Sequence, residues 1–250
     1  MAEQIVHAIV LKRRDSGESD RRLTVLTIEN GKMDVLAKGA RKGGSRLAGV
    51  SEPLSAAVLN LATGKRAAFI TQAQPQSSFR GLRTDYDRLS CGLALTELFG
   101  AVLPFDEPFP EAYALLVQAL HQLEVHPKPV VALVWAQILL MEMTGFLPQF
   151  DRCVVTDAVL SEGEPFLSPR AGGYVTDSAA VEFTDRFRTR AEVLYGLARL
   201  NNFEEPPKNM KFVGEALADL LPFWRNIADS PLPANDTAVK EFRHTAIGSA

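Results

Sequence analysis

The chain is poor in the residues that build several kinds of protein. It has 2 cysteines, Cys91 and Cys153, in 250 residues. Two thiols make neither a disulfide framework nor a four-cysteine metal site, and they fit a reducing cytoplasm. Its 4 histidines, His7, His121, His126 and His244, are scattered and show no metal-ligand spacing. His121 and His126 bracket a helix end and are expected at the surface. No Gly-x-Ser-x-Gly elbow occurs, and Cys153 has no basic neighbour beyond Arg152. Cys91 falls in a helical pattern and is expected as a small buried hydrophobe. The expectation is therefore a protein that is not an enzyme and has no cofactor. The longest charge-free apolar run, residues 129–141, has 13 residues, including Gln137. A bilayer needs roughly 20, so the run is expected as a buried helix and no membrane partner is expected. The opening Met-Ala-Glu-Gln lacks a basic-then-apolar start, so no secretory signal is expected.

What is present is an ordinary globular composition, 46% apolar with a net charge of −3, which argues against disorder. The charge is unevenly placed. Residues 1–80 carry 13 basic and 7 acidic side chains, a balance of +6. The other 170 carry 14 and 23, a balance of −9. A basic head on an acidic body points to a polyanion partner for the head.

Residues 4–12, 23–28, 32–37, 54–61 and 66–73 are rich in β-branched and apolar side chains and predict five short strands. Asn30-Gly31 predicts a hairpin turn. Such a set implies a small antiparallel barrel or sandwich. Helical periodicity follows in residues 84–103, 110–125, 129–144, 184–201 and 209–227, with Thr84 and Asp87 as a capping box and a kink at Pro222. Residues 146–180, rich in Gly, Pro, Asp and Ser, predict an irregular insertion. Residues 230–250 predict a flexible tail.

The loop Lys38-Gly39-Ala40-Arg41-Lys42-Gly43-Gly44-Ser45-Arg46 is the strongest functional signal. Glycines let backbone amides approach phosphates, and Lys38, Arg41, Lys42 and Arg46 supply charge. It lacks the Gly-Lys-Ser/Thr ending of nucleotide-hydrolase loops. Lys12, Arg13, Arg14, Arg21 and Arg22 bracket the first inter-strand loop, either extending a basic path or pairing with Asp15, Glu18 and Asp20. Residues 1–80 contain only two aromatics, Phe69 and Phe79, and Phe69 is expected in the core. Single-strand binders use aromatic platforms, so here backbone electrostatics should dominate, with both single and double strands accepted. An RNA-binding adaptor and a protein-interaction scaffold are the alternatives; scarce aromatics disfavour base-specific RNA recognition. In the helical body, Phe146, Phe150 and Trp224 with Arg152 are candidates for a partner-binding groove.

Residues 4–12, Gly17-Glu18-Ser19-Asp20-Arg21-Arg22, Thr27-Ile28-Glu29-Asn30-Gly31-Lys32 and Leu36-Ala37-Lys38-Gly39-Ala40-Arg41 resemble the N-terminus of bacterial RecO recombination-mediator proteins. Phe79, Leu82 and Asp85, then Thr96-Glu97-Leu98, then Gly145-Phe146-Leu147-Pro148 before a cysteine, extend the resemblance. It covers most of residues 4–180. It implies an α+β multidomain protein: an OB-fold barrel over residues 1–80, and a helical bundle over 81–145 and 181–229. A zinc-finger-like insertion over 146–180 and a tail over 230–250 complete that scheme. The resemblance also implies binding of single- and double-stranded DNA, strand annealing, and loading of RecA onto strands coated by single-stranded-DNA-binding protein. The implied partners are RecR and the acidic tail of that coating protein, in a cytoplasmic, nucleoid-associated setting. Relatives often carry two Cys-x-x-Cys pairs in the insertion. The matching positions here are Cys153, Thr156, Thr176 and Ala179. One thiolate does not hold structural zinc, which usually has four ligands, so a metal-free insertion is expected.

Overall fold

The structure, a computed structural model, describes residues 3–63, 68–161 and 165–243. Its contacts divide the chain into two compact units, Met1–Glu124 and Val125–Ala250. Three helices that follow the barrel belong to the same unit as the barrel.

The first unit opens with a closed barrel. Its strands are β1 (Glu3–Ser16), β2 (Asp20–Thr27), β3 (Gly31–Ala37), β4 (Ala56–Thr63) and β5 (Ala68–Ser77), in the order β1-β2-β3-β5-β4. This is the OB-type barrel, and it settles the choice between barrel and sandwich. A short helix, α1 (Leu47–Val50), lies between β3 and β4. Alternation fills the interior: Val6, Ala8, Val10, Leu23, Val25, Val35, Ala37, Leu59, Leu61 and Ile70 form one buried cluster. β1 is long because it serves two neighbours. It pairs with β4 over Glu3–Ile9 and with β2 over Ala8–Ser16, and the register shifts between Val10 and Lys12. Such a bulge bends a strand far enough to close a small barrel.

The β2–β3 turn differs in detail from the expected hairpin. Gly31, not Asn30, has the positive φ, at 67°. A Cβ at Gly31 would meet the Glu107 carbonyl oxygen at 1.7 Å, so only glycine fits. Thr27 Oγ1 completes the turn by donating to the Gly31 carbonyl at 2.9 Å and accepting from Asn30 N–H.

Helices α2 (Arg80–Arg83), α3 (Tyr86–Val102) and α4 (Pro110–Val125) follow. Asp85, rather than Thr84, caps α3: its carboxylate accepts from Arg88 N–H at 3.0 Å. Lys32 is buried, and its Nζ donates to the Gly100 carbonyl at 2.8 Å near the end of α3.

In the second unit, α5 (Pro129–Met143) is buried along nearly its whole length, as its uniform apolarity predicts. A three-stranded sheet follows, made of β6 (Phe166–Ser168), β7 (Gly173–Val175) and β8 (Phe187–Arg188) in the order β7-β6-β8, with α6 (Asp177–Ala180) between β7 and β8. Residues 184–201 do not form the single helix their periodicity predicts. β8 pairs with β6, and Thr189 N–H donates to Pro165, so only α7 (Ala191–Leu197) and a 3-10 turn at Leu200–Asn202 are helical. Helix α8 (Val213–Ile227) continues through Pro222. The expected tail is also helical in part. Pro233–Phe242 forms α9, because Pro233 suits a first turn and Ala238 and Phe242 are buried. His244 lies outside the described residues. Among the described residues no helix is long and apolar enough to cross a membrane.

Candidate nucleic-acid interface

The loop that leaves β3 turns tightly on itself. Gly39 adopts φ 65°, and the Lys42 and Ser45 amides donate back to the Gly39 and Lys42 carbonyls. Asp20 at the start of β2 anchors it by accepting from Gly39 N–H at 2.7 Å. The result is an open cleft of about 460 Å³ lined by Lys38, Lys42, Gly39, Gly43, Gly44 and Ser45, with Ser19 and Asp20 across from them. Lys38, Lys42, Gly43, Gly44 and Arg46 are exposed. Two lysine side chains lining a glycine-walled concavity suit a phosphate oxygen.

The other expected cations divide by strand alternation. Arg13 and Arg21 share Glu52, each at 3.0 Å, and Arg21 also donates to Ser51 Oγ at 2.7 Å. Arg41 pairs with Asp15 at 3.5 Å and donates to the Gly17 carbonyl. These three brace the barrel end more than they present charge. Arg14 reaches Asp34 at 3.6 Å but keeps 64% of its side chain exposed. Lys12, Arg22, Lys38, Lys42 and Arg46 have no carboxylate within ion-pair distance among the described residues. Surface ion pairs are worth about 0–1 kcal/mol, so the exposed Arg14 is available to exchange partners, whereas Arg21, with 14% of its side chain exposed, is held in place.

Register adds a feature the sequence does not show directly. Arg14 lies opposite Arg22, Arg22 opposite Leu36, and Leu36 opposite Phe69. Val35, Ala37 and Ile70 point inward, so this row points outward across four strands. Phe69 is therefore not in the core, contrary to expectation. It is half-buried on the outer face, with Lys38 Nζ 4.0 Å from its ring centre. Alternation in the sequence puts Phe69 and Ile70 on opposite faces, and the pairing of β5 with β3 shows that Ile70 is the inward one.

The partner groove expected in the second unit does not form. Trp224 is fully buried and donates to Gln137 at 2.8 Å, and Phe150 is buried too. Phe146 is exposed, and Arg152 pairs with Asp157 at 3.1 Å. His126 is buried rather than at the surface, between the Lys128 and Pro207 carbonyls. A different cleft, of about 580 Å³, lies along α8 and α9 and is lined by Arg188, Lys240, Arg243 and the Arg225–Asp236 ion pair, with Leu221 and Pro222. At its inner wall burial raises the Asp219 carboxyl from 3.8 to about 7. The Thr189 hydroxyl donates to it and lowers it, Glu215 raises it further, and Arg243 lowers it.

Three of the four positions expected to correspond to zinc ligands meet in space. Cys153 Sγ accepts from the Thr176 amide at 3.3 Å and the Thr156 amide at 3.5 Å, and lies 3.7 Å from Thr176 Oγ1. Burial pushes this thiol up, but donors from Thr156, Thr176 and Val155 outweigh it and bring it from 9.0 to about 7. Among the described residues no group of three or more His, Cys, Asp or Glu could hold a metal ion.

Two family models match. "Recombination protein O N terminal" covers residues 1–79, and "Recombination protein O C terminal" covers residues 83–226. The chain is 36% identical over 172 residues to the DNA repair protein RecO of Heliobacterium modesticaldum, covering 67% of this chain and 62% of that protein. It is 34% identical over 173 residues to the DNA repair protein RecO of Roseiflexus sp., covering 69% and 61%. It is 30% identical over 196 residues to the DNA repair protein RecO of Anaeromyxobacter sp., covering 78% and 77%. The match to the first two thus spans about three fifths of those relatives' length.

Proposed function

The chain belongs to the RecO family, and on that premise we propose that it is a non-catalytic DNA-binding protein of recombinational repair. It binds single- and double-stranded DNA through the phosphate backbone and anneals complementary strands. It assists the loading of RecA onto strands coated by single-stranded-DNA-binding protein, acts with RecR, and works in the cytoplasm at the nucleoid. The observation that carries this reading is the convergence of Lys38 and Lys42 on one open, glycine-walled cleft beside the outward Arg14 and Arg22. Cations placed this way neutralise phosphates and lower the repulsion between two strands brought together, which is what annealing requires. The acidic tail of the coating protein would dock by charge on the second unit. The α8–α9 cleft, with Lys240 and Arg243 over Leu221 and Pro222, suits an acidic peptide with apolar residues better than Phe146 and Arg152 do. The insertion holds its shape without metal, through the donors that converge on Cys153.

The test is annealing of complementary oligomers, bare and pre-coated with single-strand-binding protein, over a salt series. Acceleration that fades with salt supports the reading. No acceleration at low salt, by protein that is folded, overturns it.

A further inference from the structure

The reading above treats DNA as a chain of charges. The outer face of the barrel carries one group whose chemistry is not charge. Phe69 lies at the end of the cross-strand row Arg14–Arg22–Leu36–Phe69, and it is the one Phe, Tyr or Trp of β1–β5. Neighbouring strands are about 4.8 Å apart, so Arg22 and Phe69, two strands apart, are separated by about 10 Å. That spacing lets one strand of DNA place a phosphate on the arginines and lay a base on the ring a nucleotide or two further on. Lys38 is the link. Its ammonium now covers the ring at 4.0 Å, and the same side chain lines the adjoining cleft with Lys42. A cation over a half-buried ring at the protein surface is held by only about 0.5–2 kcal/mol. A phosphate entering the cleft would attract it away.

We propose that Phe69 is a base-stacking platform for single-stranded DNA, covered by Lys38 in the free protein and uncovered when Lys38 turns to a phosphate in the cleft. The proposal rests on the DNA-binding reading and adds a discrimination to it. Paired bases inside a duplex have no free face to offer, so the platform favours single strands while the cations serve both forms. It also assigns Lys38 two exclusive partners, which makes ring exposure depend on phosphate occupancy.

The experiment compares full-length wild-type protein, Phe69→Leu and Phe69→Trp for binding to labelled oligothymidylate and to a matched duplex over a salt series, with circular dichroism to check folding. Phe69→Leu should lose about tenfold in affinity for the single strand and keep its duplex affinity and salt slopes. Phe69→Trp should bind the single strand as wild type does, and its fluorescence should be quenched by oligothymidylate but not by duplex. Trp135 and Trp224 are both fully buried, so the new indole supplies the responsive signal. Equal binding of both DNAs by Phe69→Leu and wild type, or an unquenched Phe69→Trp, overturns the platform and leaves the electrostatic reading standing. Wild-type protein that binds neither DNA in a salt-dependent way overturns both.

Discussion

Lys32 Nζ donates to the carbonyl oxygen of Gly100 at 2.8 Å, and its ammonium lies 4.2 Å from the centre of the Phe105 ring. A barrel strand and the end of a helix nearly seventy residues later thus share one buried cation. The contact is reinforced where Asp106 N–H donates to the Lys32 carbonyl at 2.8 Å, and where Gly31 leaves room for the Glu107 carbonyl. This packing makes α3 part of the barrel's unit. Lys32→Met keeps the aliphatic stem but leaves a buried carbonyl without this donor, so it should cost about 1–3 kcal/mol in urea unfolding. Gly31→Ala should cost more, because strain at positive φ adds to a backbone clash.

The candidate DNA-binding residues should separate into two classes. Lys38→Ala and Lys42→Ala, at the cleft, should each weaken duplex binding and lower the salt slope by about 0.9. Arg21→Ala should instead lower thermal stability, because its donors to Ser51 and Glu52 hold α1 to the barrel end. Fluorescence anisotropy over a salt series, beside thermal melts, checks the division. An equal slope change for Arg21 and Lys42 would contradict it.

Much of this was legible in the sequence. Five β-rich segments and the switch to helical period after residue 79 locate the barrel and the helices that follow. The basic, glycine-rich loop stands out by composition alone. What was not legible depends on pairing between distant segments. Phe69 reads as core until its partner Leu36 shows which face it occupies. Residues 184–201 have helical spacing, but the β6 edge pairs with Phe187–Arg188 and interrupts it. Trp224 reads as a groove residue because its indole partner, Gln137, lies 87 positions away.

Cys153 should titrate in the folded protein near pH 7, well below its ordinary 9.0. A depressed folded value means the thiolate contributes stability that is fully present above 9.0 and is lost as pH falls through about 7. Ultraviolet thiolate absorbance against pH should show a step near 7 in native protein, absent from Cys153→Ser. A step only near the ordinary value would show that the Thr156 and Thr176 donors do not stabilise the anion.

Asp219 has the opposite sign. Its folded value, about 7, is above the ordinary 3.8, so between these values the native state keeps a proton that the unfolded chain releases. Its contribution is fully present below 3.8 and is lost as pH rises through about 7. Asp219→Asn carries no charge at any pH. Urea unfolding at several pH values should show the variant losing less stability than wild type from mildly acidic to neutral pH. Parallel curves would contradict the raised carboxyl.

Between β3 and β5 the barrel closes through two parallel residue pairs, Val35 with Ala68 and Leu36 with Phe69, among the described residues. The other neighbouring strands are joined by seven or more. The closure is therefore the seam at which the cylinder opens most readily, and amide exchange should be fastest along it. A ligand that rests on Phe69 bridges that seam, so occupancy there would fasten the barrel shut.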